Sequence, residues 1–357
     1  MSSIINNGVR RRNRKKNAFS DGQSKLAFLL LAPTMLVMLI VAGIPTIMTI
    51  REAFFESNSD PDPITGLIPE GETFVGLKHF TEMFMGHQQV LGNFGMMDRF
   101  WNDFLNTSMI TVMAVALETV LGVMMALVMA KAFRGRGIVR AGILVPWAIP
   151  TIVSALMWKL IFSDGGVMNK IIGQQILWLA DNSSSFWAII IADVWKTAPF
   201  IALLTLAGLQ TIPAEVYEAA MVDGASAWQK FWRITLPIIK PQLVVAVLFR
   251  TLDTLRMFDL VWGMVGPGKY RVETLSVLVN QEAGATRYGS AAAYALTLVV
   301  YVLLVAYLFV RVLGAELISS NDFNLHKTNK SMPRWKMLQK LPRKRADLKI
   351  QNMEVKE

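Results

Sequence analysis

Arg250, Asp253, Thr254 and Met257 recur at i, i+3, i+4 and i+7 within a hydrophobic run, which lines them along one face of a helix. A charge at the centre of a membrane helix costs about 3 kcal/mol on insertion scales, so such a face does not point at lipid. It either lines a solvated path or makes a structural Arg250–Asp253 ion pair between helices, and spacing alone leaves both open. Arg256 and Asp259 fall one turn apart on another face and read as a structural pair. In an earlier run, Asp193, Trp195, Lys196 and Thr197 stand just before Pro199, whose ring frees a backbone carbonyl and kinks a helix. Kinked helices with polar residues at mid-depth face cavities, and Phe200, one turn after Lys196, adds an aromatic ring to that face. Glu118 is the single acid of a third run, where an interhelical hydrogen bond and a transport role are both open.

None of these groups makes a catalytic constellation. There is no cysteine, which excludes disulfides, thiolate metal sites and cysteine nucleophiles. His79, His87 and His326 are scattered over predicted loops and the tail, without metal-ligand spacing. A G-x-x-x-x-G-K-[ST] phosphate loop is absent, so the chain does not bind ATP in that manner.

The elements that must position these residues follow from composition. Of 357 residues, 53% are hydrophobic, too many for one or two soluble cores, so the chain is an all-α integral membrane protein. Six spans are predicted: Leu26 to Ile50, Phe104 to Ala130, Ala141 to Phe162, Phe186 to Leu209, Gln242 to Val265 and Gly289 to Leu313. The first exceeds a signal-peptide core and lacks a small-residue cleavage site, so it reads as a retained helix. Lys and Arg total 36 against 26 Asp and Glu, and the excess sits near the ends. Residues 1–25 and 314–357 form basic tails flanking a six-helix membrane domain at 26–313. The loop from Lys131 to Arg140 is basic, while Arg51 to Asp103 is acid-rich. Positive-inside bias therefore puts both termini in the cytoplasm, and the charge suits topology and anionic lipid contact rather than nucleic acid.

Thr211 to Pro241 is then a cytoplasmic segment too long for a tight connection. Glu218, Ala219 and Ala220 make a compact helical start, Asp223 and Gly224 break it, and a second short helix is expected before Pro237. Two short helices meeting at a glycine make a protruding elbow.

The elbow resembles the signature loop of bacterial ATP-binding-cassette (ABC) importer permeases, E-A-A, three residues, G, nine residues, then I-x-L-P. The matching residues are Glu218, Ala219, Ala220, Gly224, Ile234, Leu236 and Pro237, with the interval intact. VWKTAPF before the loop, LFRTLDTLRMFDLVWGM after it and the later YGSAAAYAL resemble the carbohydrate branch, most closely trehalose- and maltose-type disaccharide importers, over roughly residues 26 to 315. The resemblance implies a type I, MetI-like permease core in the bacterial cytoplasmic membrane. It also implies a second homologous permease, two ATPase subunits that hold ATP and Mg and receive the elbow in a groove, and an extracellular sugar-binding protein. No cofactor is expected on this chain. In maltose-type permeases the helices before and after the loop contact sugar, which implies such a role for Lys196, Thr197, Phe200, Arg250, Asp253, Thr254 and Met257 and favours the path-lining reading. Two departures stand out: Gly266, Pro267, Gly268 and Lys269 replace the family's Gly-Gly-Pro, and charges occupy contact positions that are small or amide in the maltose pattern.

Other readings make distinct expectations. Glycerol phosphate or an oligosaccharide is an alternative cargo, given Arg250 and Lys196. An ion-coupled secondary transporter would use the membrane charges as a relay and need no ATPase partner. A membrane enzyme or scaffold would need a catalytic cluster at a membrane face.

Overall fold

A computed structural model describes residues 26–57, 71–86, 88–180 and 183–314, so the basic tails (Gly314 apart), His87 and His326 lie outside the described residues. Among the described residues, five helices are long and apolar enough to span a membrane: α1 (Leu26–Glu52), α3 (Arg99–Ala130), α7 (Ser183–Leu209), α9 (Ala227–Thr254) and α12 (Tyr288–Val312). A sixth span is a bent pair, α4 (Arg136–Ala148) and α5 (Thr151–Ile161), which meet at 95°. The shorter helices are α2 (Lys78–Met85), α6 (Val167–Ile172), α8 (Ala214–Val222), α10 (Asp259–Met264) and α11 (Leu275–Gly284).

The bend corrects the expectation of one straight helix from Ala141 to Phe162. Pro150 has no N–H to continue the ladder and pushes Ile149 out of the helical region, to φ −74° and ψ 133°. Arg136 and Arg140, counted as loop charges, are helical. Arg140 donates from Nε and a terminal nitrogen to the Met129 carbonyl at 3.1 and 2.7 Å, which satisfies an orphan acceptor at the end of α3.

A second correction concerns α9. The elbow's second arm and the following span were expected to be separate helices divided by Pro237, with the span ending near Val265. They are one helix that ends at Thr254, and α10 follows after a break. The chain passes Pro237 and Pro241 because a π turn over Phe231–Thr235 precedes them, and Pro237 sits at the start of the next helical stretch, where its missing N–H costs least.

By packing, the described chain falls into two compact units. The larger spans 105–272 with the last part of α12. Its core joins α3, α7 and α9 through Ala126, Met129, Ala202, Leu206 and Ile239. The helices of α3 and α7 touch at Gly122, where a Cβ would lie 2.8 Å from Ile201 and 3.0 Å from the Ala198 carbonyl. Small residues let membrane helices approach this closely. Gly122→Leu is therefore expected to cost about 3 kcal/mol through overpacking, read as a lower thermal midpoint in detergent. An unchanged midpoint would mean that the crossing is not close-packed in solution.

The smaller unit holds residues up to Phe104 and 273–299. It contains two antiparallel strand pairs, β1 (Phe55–Ser57) with β2 (Glu72–Phe74) and β3 (Gln89–Gly92) with β4 (Gly95–Asp98). Arg99 and Asp103, read from sequence as the end of an acidic loop, are instead buried in the first two turns of α3. The Arg99 guanidinium forks onto Glu273 at 2.7 and 2.9 Å and also reaches Gln281. Glu282 in turn accepts from Arg287 at 2.6 Å. Such planar bidentate pairing fixes geometry as well as charge. His79 is also buried, with Nε2 3.2 Å from the Phe55 carbonyl, a structural placement.

Candidate functional site

The break in α4–α5, the part of α7 around Pro199 and the end of α9 border a cavity of ≈ 510 Å³ within the larger unit. All seven residues singled out from sequence, Lys196, Thr197, Phe200, Arg250, Asp253, Thr254 and Met257, line it. Arg250 is its electrostatic centre. Its Nε donates to Glu118 at 2.7 Å, and its terminal nitrogens donate to Glu118 at 2.9 Å, Asp193 at 3.1 Å, Asp253 at 2.7 Å and the Thr254 hydroxyl at 2.9 Å. One guanidinium from α9 thus ties carboxylates of α3 and α7 to its own helix. Thr197 completes the knot by donating to Glu118 at 2.8 Å.

The cavity and ion-pair readings of the Arg250 face therefore coexist: Arg250 is buried, whereas the Asp253 side chain is 57% exposed. Arg256 approaches Asp253 at 3.4 Å, so its predicted pairing with Asp259 is corrected; Asp259 lies across the break, at the start of α10. Lys196 donates from Nζ to the Ile149 carbonyl at 2.9 Å, one of the acceptors released by the bend. An ammonium has three donors, so Lys196 retains capacity toward the cavity. Phe200 and Trp147 hold their ring centroids 6.1 Å apart, making an apolar wall opposite this polar floor.

Sequence reading missed Trp147, Thr151, Phe249 and Phe258 as cavity residues. Phe258 stacks on Trp262 at 5.5 Å, a placement that depends on the helix break and that no spacing rule signals. Glu118 carried a signal as a lone acid in an apolar helix, but its partners lie 79 and 132 positions away.

The elbow is built from two terminal motifs set back to back. At the end of α8, Gly224 has φ +72°, its N–H reaches the Met221 carbonyl at 3.1 Å, and the Ala225 N–H reaches the Ala220 carbonyl at 2.9 Å. This is a Schellman stop. One residue later Ser226 opens α9 with a capping box: the Gln229 N–H donates to its hydroxyl at 3.2 Å, and the Ser226 N–H donates to the Gln229 side chain at 2.8 Å. The Tyr217 and Thr235 hydroxyls, 3.0 Å apart, pin the two arms together. Glu218, Ala219, Asp223 and Gly224 are exposed, Ala220 is buried, Ile234 and Leu236 are half-buried, and Pro237 is exposed.

Residues 118–317 match the model of the binding-protein-dependent transport system inner membrane component family. The chain belongs to this family. It is an inner-membrane ABC importer permease, a transport subunit and not an enzyme. Among similar proteins, the trehalose/maltose transport system permease protein MalF of Thermococcus litoralis is 36% identical over 81% of this chain and 94% of its own length. The sulfoquinovosyl glycerol transport system permease protein SmoG of Agrobacterium fabrum is 34% identical over 76% and 85%. A bacterial ABC transporter that imports the acidic polysaccharide alginate shares the fold, with a TM-score of 0.65 at 23% identity over 81% of this chain and 96% of that one. The MetI-like permease fold expected from the sequence is borne out.

Proposed function

We propose that this permease, with a second homologous permease, forms the translocation path for an uncharged sugar, a disaccharide such as trehalose or maltose, with Lys196, Thr197, Phe200, Arg250, Asp253, Thr254 and Met257 on that path. The observation that carries this reading is the cavity of ≈ 510 Å³ with an aromatic wall and a floor of donors and acceptors. A sugar has an apolar ring face for Phe200 and Trp147 and hydroxyls for Asp253 and Lys196. The trehalose/maltose relative supports the choice of cargo. The commitment of Arg250 to three carboxylates argues against a phosphate or sulfonate, since little positive field is left over.

The elbow, in this reading, docks its exposed tip, Glu218, Ala219, Asp223 and Gly224, into the groove of an ATPase subunit, which binds ATP and Mg, while Ala220, Ile234, Leu236 and Pro237 shape the arms behind that tip. Two such subunits and an extracellular sugar-binding protein complete the assembly. Closing of the ATPase pair then rotates the helices as rigid bodies and opens the path outward.

Uptake of labelled trehalose, maltose and glycerol phosphate by the reconstituted assembly, with its binding protein present, tests the cargo. A disaccharide should be taken up and glycerol phosphate should not; preferential uptake of glycerol phosphate would overturn the uncharged-cargo reading. Phe200→Ala should lower kcat/KM for the transported sugar up to about tenfold, since an aromatic contact contributes about 1 kcal/mol beyond its area. Unchanged kinetics would remove Phe200 from the path.

A further inference from the structure

An apolar groove of ≈ 1010 Å³ opens beside the elbow, between α3 and the first half of α9, and the sugar path makes no use of it. Its α3 wall runs from Thr119 through Val123 and Leu127 to Ala130. At 1.5 Å per residue that wall is about 17 Å long, close to the ~15 Å of hydrocarbon in one leaflet. Charge is confined to one end, where Lys131 and Lys230 stand. Neither ammonium group has a hydrogen-bond or ion-pair partner among the described residues. The stretch that follows Lys131, up to Arg140, carries three arginines and no acid. Trp228 and Trp232, both exposed, pack edge to face at 5.4 Å and also line the groove.

We infer that this groove holds one anionic phospholipid, its acyl chain along the α3 wall and its phosphate between Lys131 and Lys230. The tryptophans would sit at glycerol depth, where amphipathic rings gather. Charge complementarity selects this occupant. A neighbouring protein helix could cover the apolar wall but would leave two ammonium groups uncompensated at its edge. A phospholipid satisfies both the wall and the charge, and each Lys near an anionic headgroup adds about 1 kcal/mol. The inference does not depend on which sugar is carried.

The test uses the complete transporter assembly, washed free of loosely held lipid and titrated with phosphatidylglycerol or phosphatidylcholine under native mass spectrometry. The assembly should retain one phosphatidylglycerol with at least tenfold preference over phosphatidylcholine. Combining Lys131→Gln with Lys230→Gln should erase that preference, and Val120→Trp, which fills the groove, should lower retention of both lipids while the mass of the assembly stays the same. Equal retention of the two lipids by the unaltered protein, or a preference that survives the double lysine variant, would overturn the inference. So would a photo-crosslinker at Met124 that captures the second permease instead of phospholipid.

Discussion

Arg250→Ala is expected to destabilise the transmembrane core by about 3–5 kcal/mol and to abolish transport. Removing the guanidinium leaves the carboxylates of Glu118, fully buried, and Asp193, 7% exposed, without their counter-charge, and an uncompensated buried charge costs that much. The Asp253 arm contributes little to this figure, because its carboxylate is 57% exposed and water screens it. Arg250→Lys should rescue poorly, since one ammonium lacks the planar fork that reaches α3 and α7 together. Adding Glu118→Gln to Arg250→Met removes charge of both signs and should recover much of the thermal midpoint without recovering uptake. A midpoint for Arg250→Ala equal to that of the unaltered protein would show that the three-helix knot is not what holds these helices together.

Gly224→Val is expected to bring sugar uptake to background while the protein still inserts in the membrane. A β-branched residue at φ +72° is strained by about 1–2 kcal/mol, and relieving that strain undoes the Schellman stop that sets the angle between α8 and α9. No atom lies within 4 Å of a Cβ built at Gly224, so the fault is conformational within this chain, together with whatever must fit against the exposed tip. Gly224→Asn separates these causes, because asparagine tolerates the left-handed region. Some uptake and ATPase co-purification should return with asparagine and neither with valine. Wild-type uptake by the valine variant would sink the proposed coupling role.

The parts of the fold that were legible in the sequence are those written as local intervals. The elbow's E-A-A and glycine fall where a helix must stop, and Arg250, Asp253 and Thr254 share a face because a helix has 3.6 residues per turn. Helix ends were less legible. Pro237 reads as a divider between two helices, yet a π turn and a helix-start position absorb it, while Pro150, one of two prolines in its run, produces the 95° bend. Charges in apparent loops misled in a different way. Arg99, Asp103 and Glu273 count toward side bias when read singly, but the fold buries them against one another. Glu118 could be recognised as out of place in its helix, whereas its partners become visible only once α3, α7 and α9 are brought together.

The π turn in α9 has a mechanical meaning as well. It divides the helix into a short arm of four residues, Ala227–Lys230, and a long arm of 19 residues, Leu236–Thr254. The helix nevertheless runs on as one span from Ala227 to Thr254. The elbow and the Arg250 knot therefore stand on a single helix, and a force applied at the elbow reaches the cavity floor without crossing a loop.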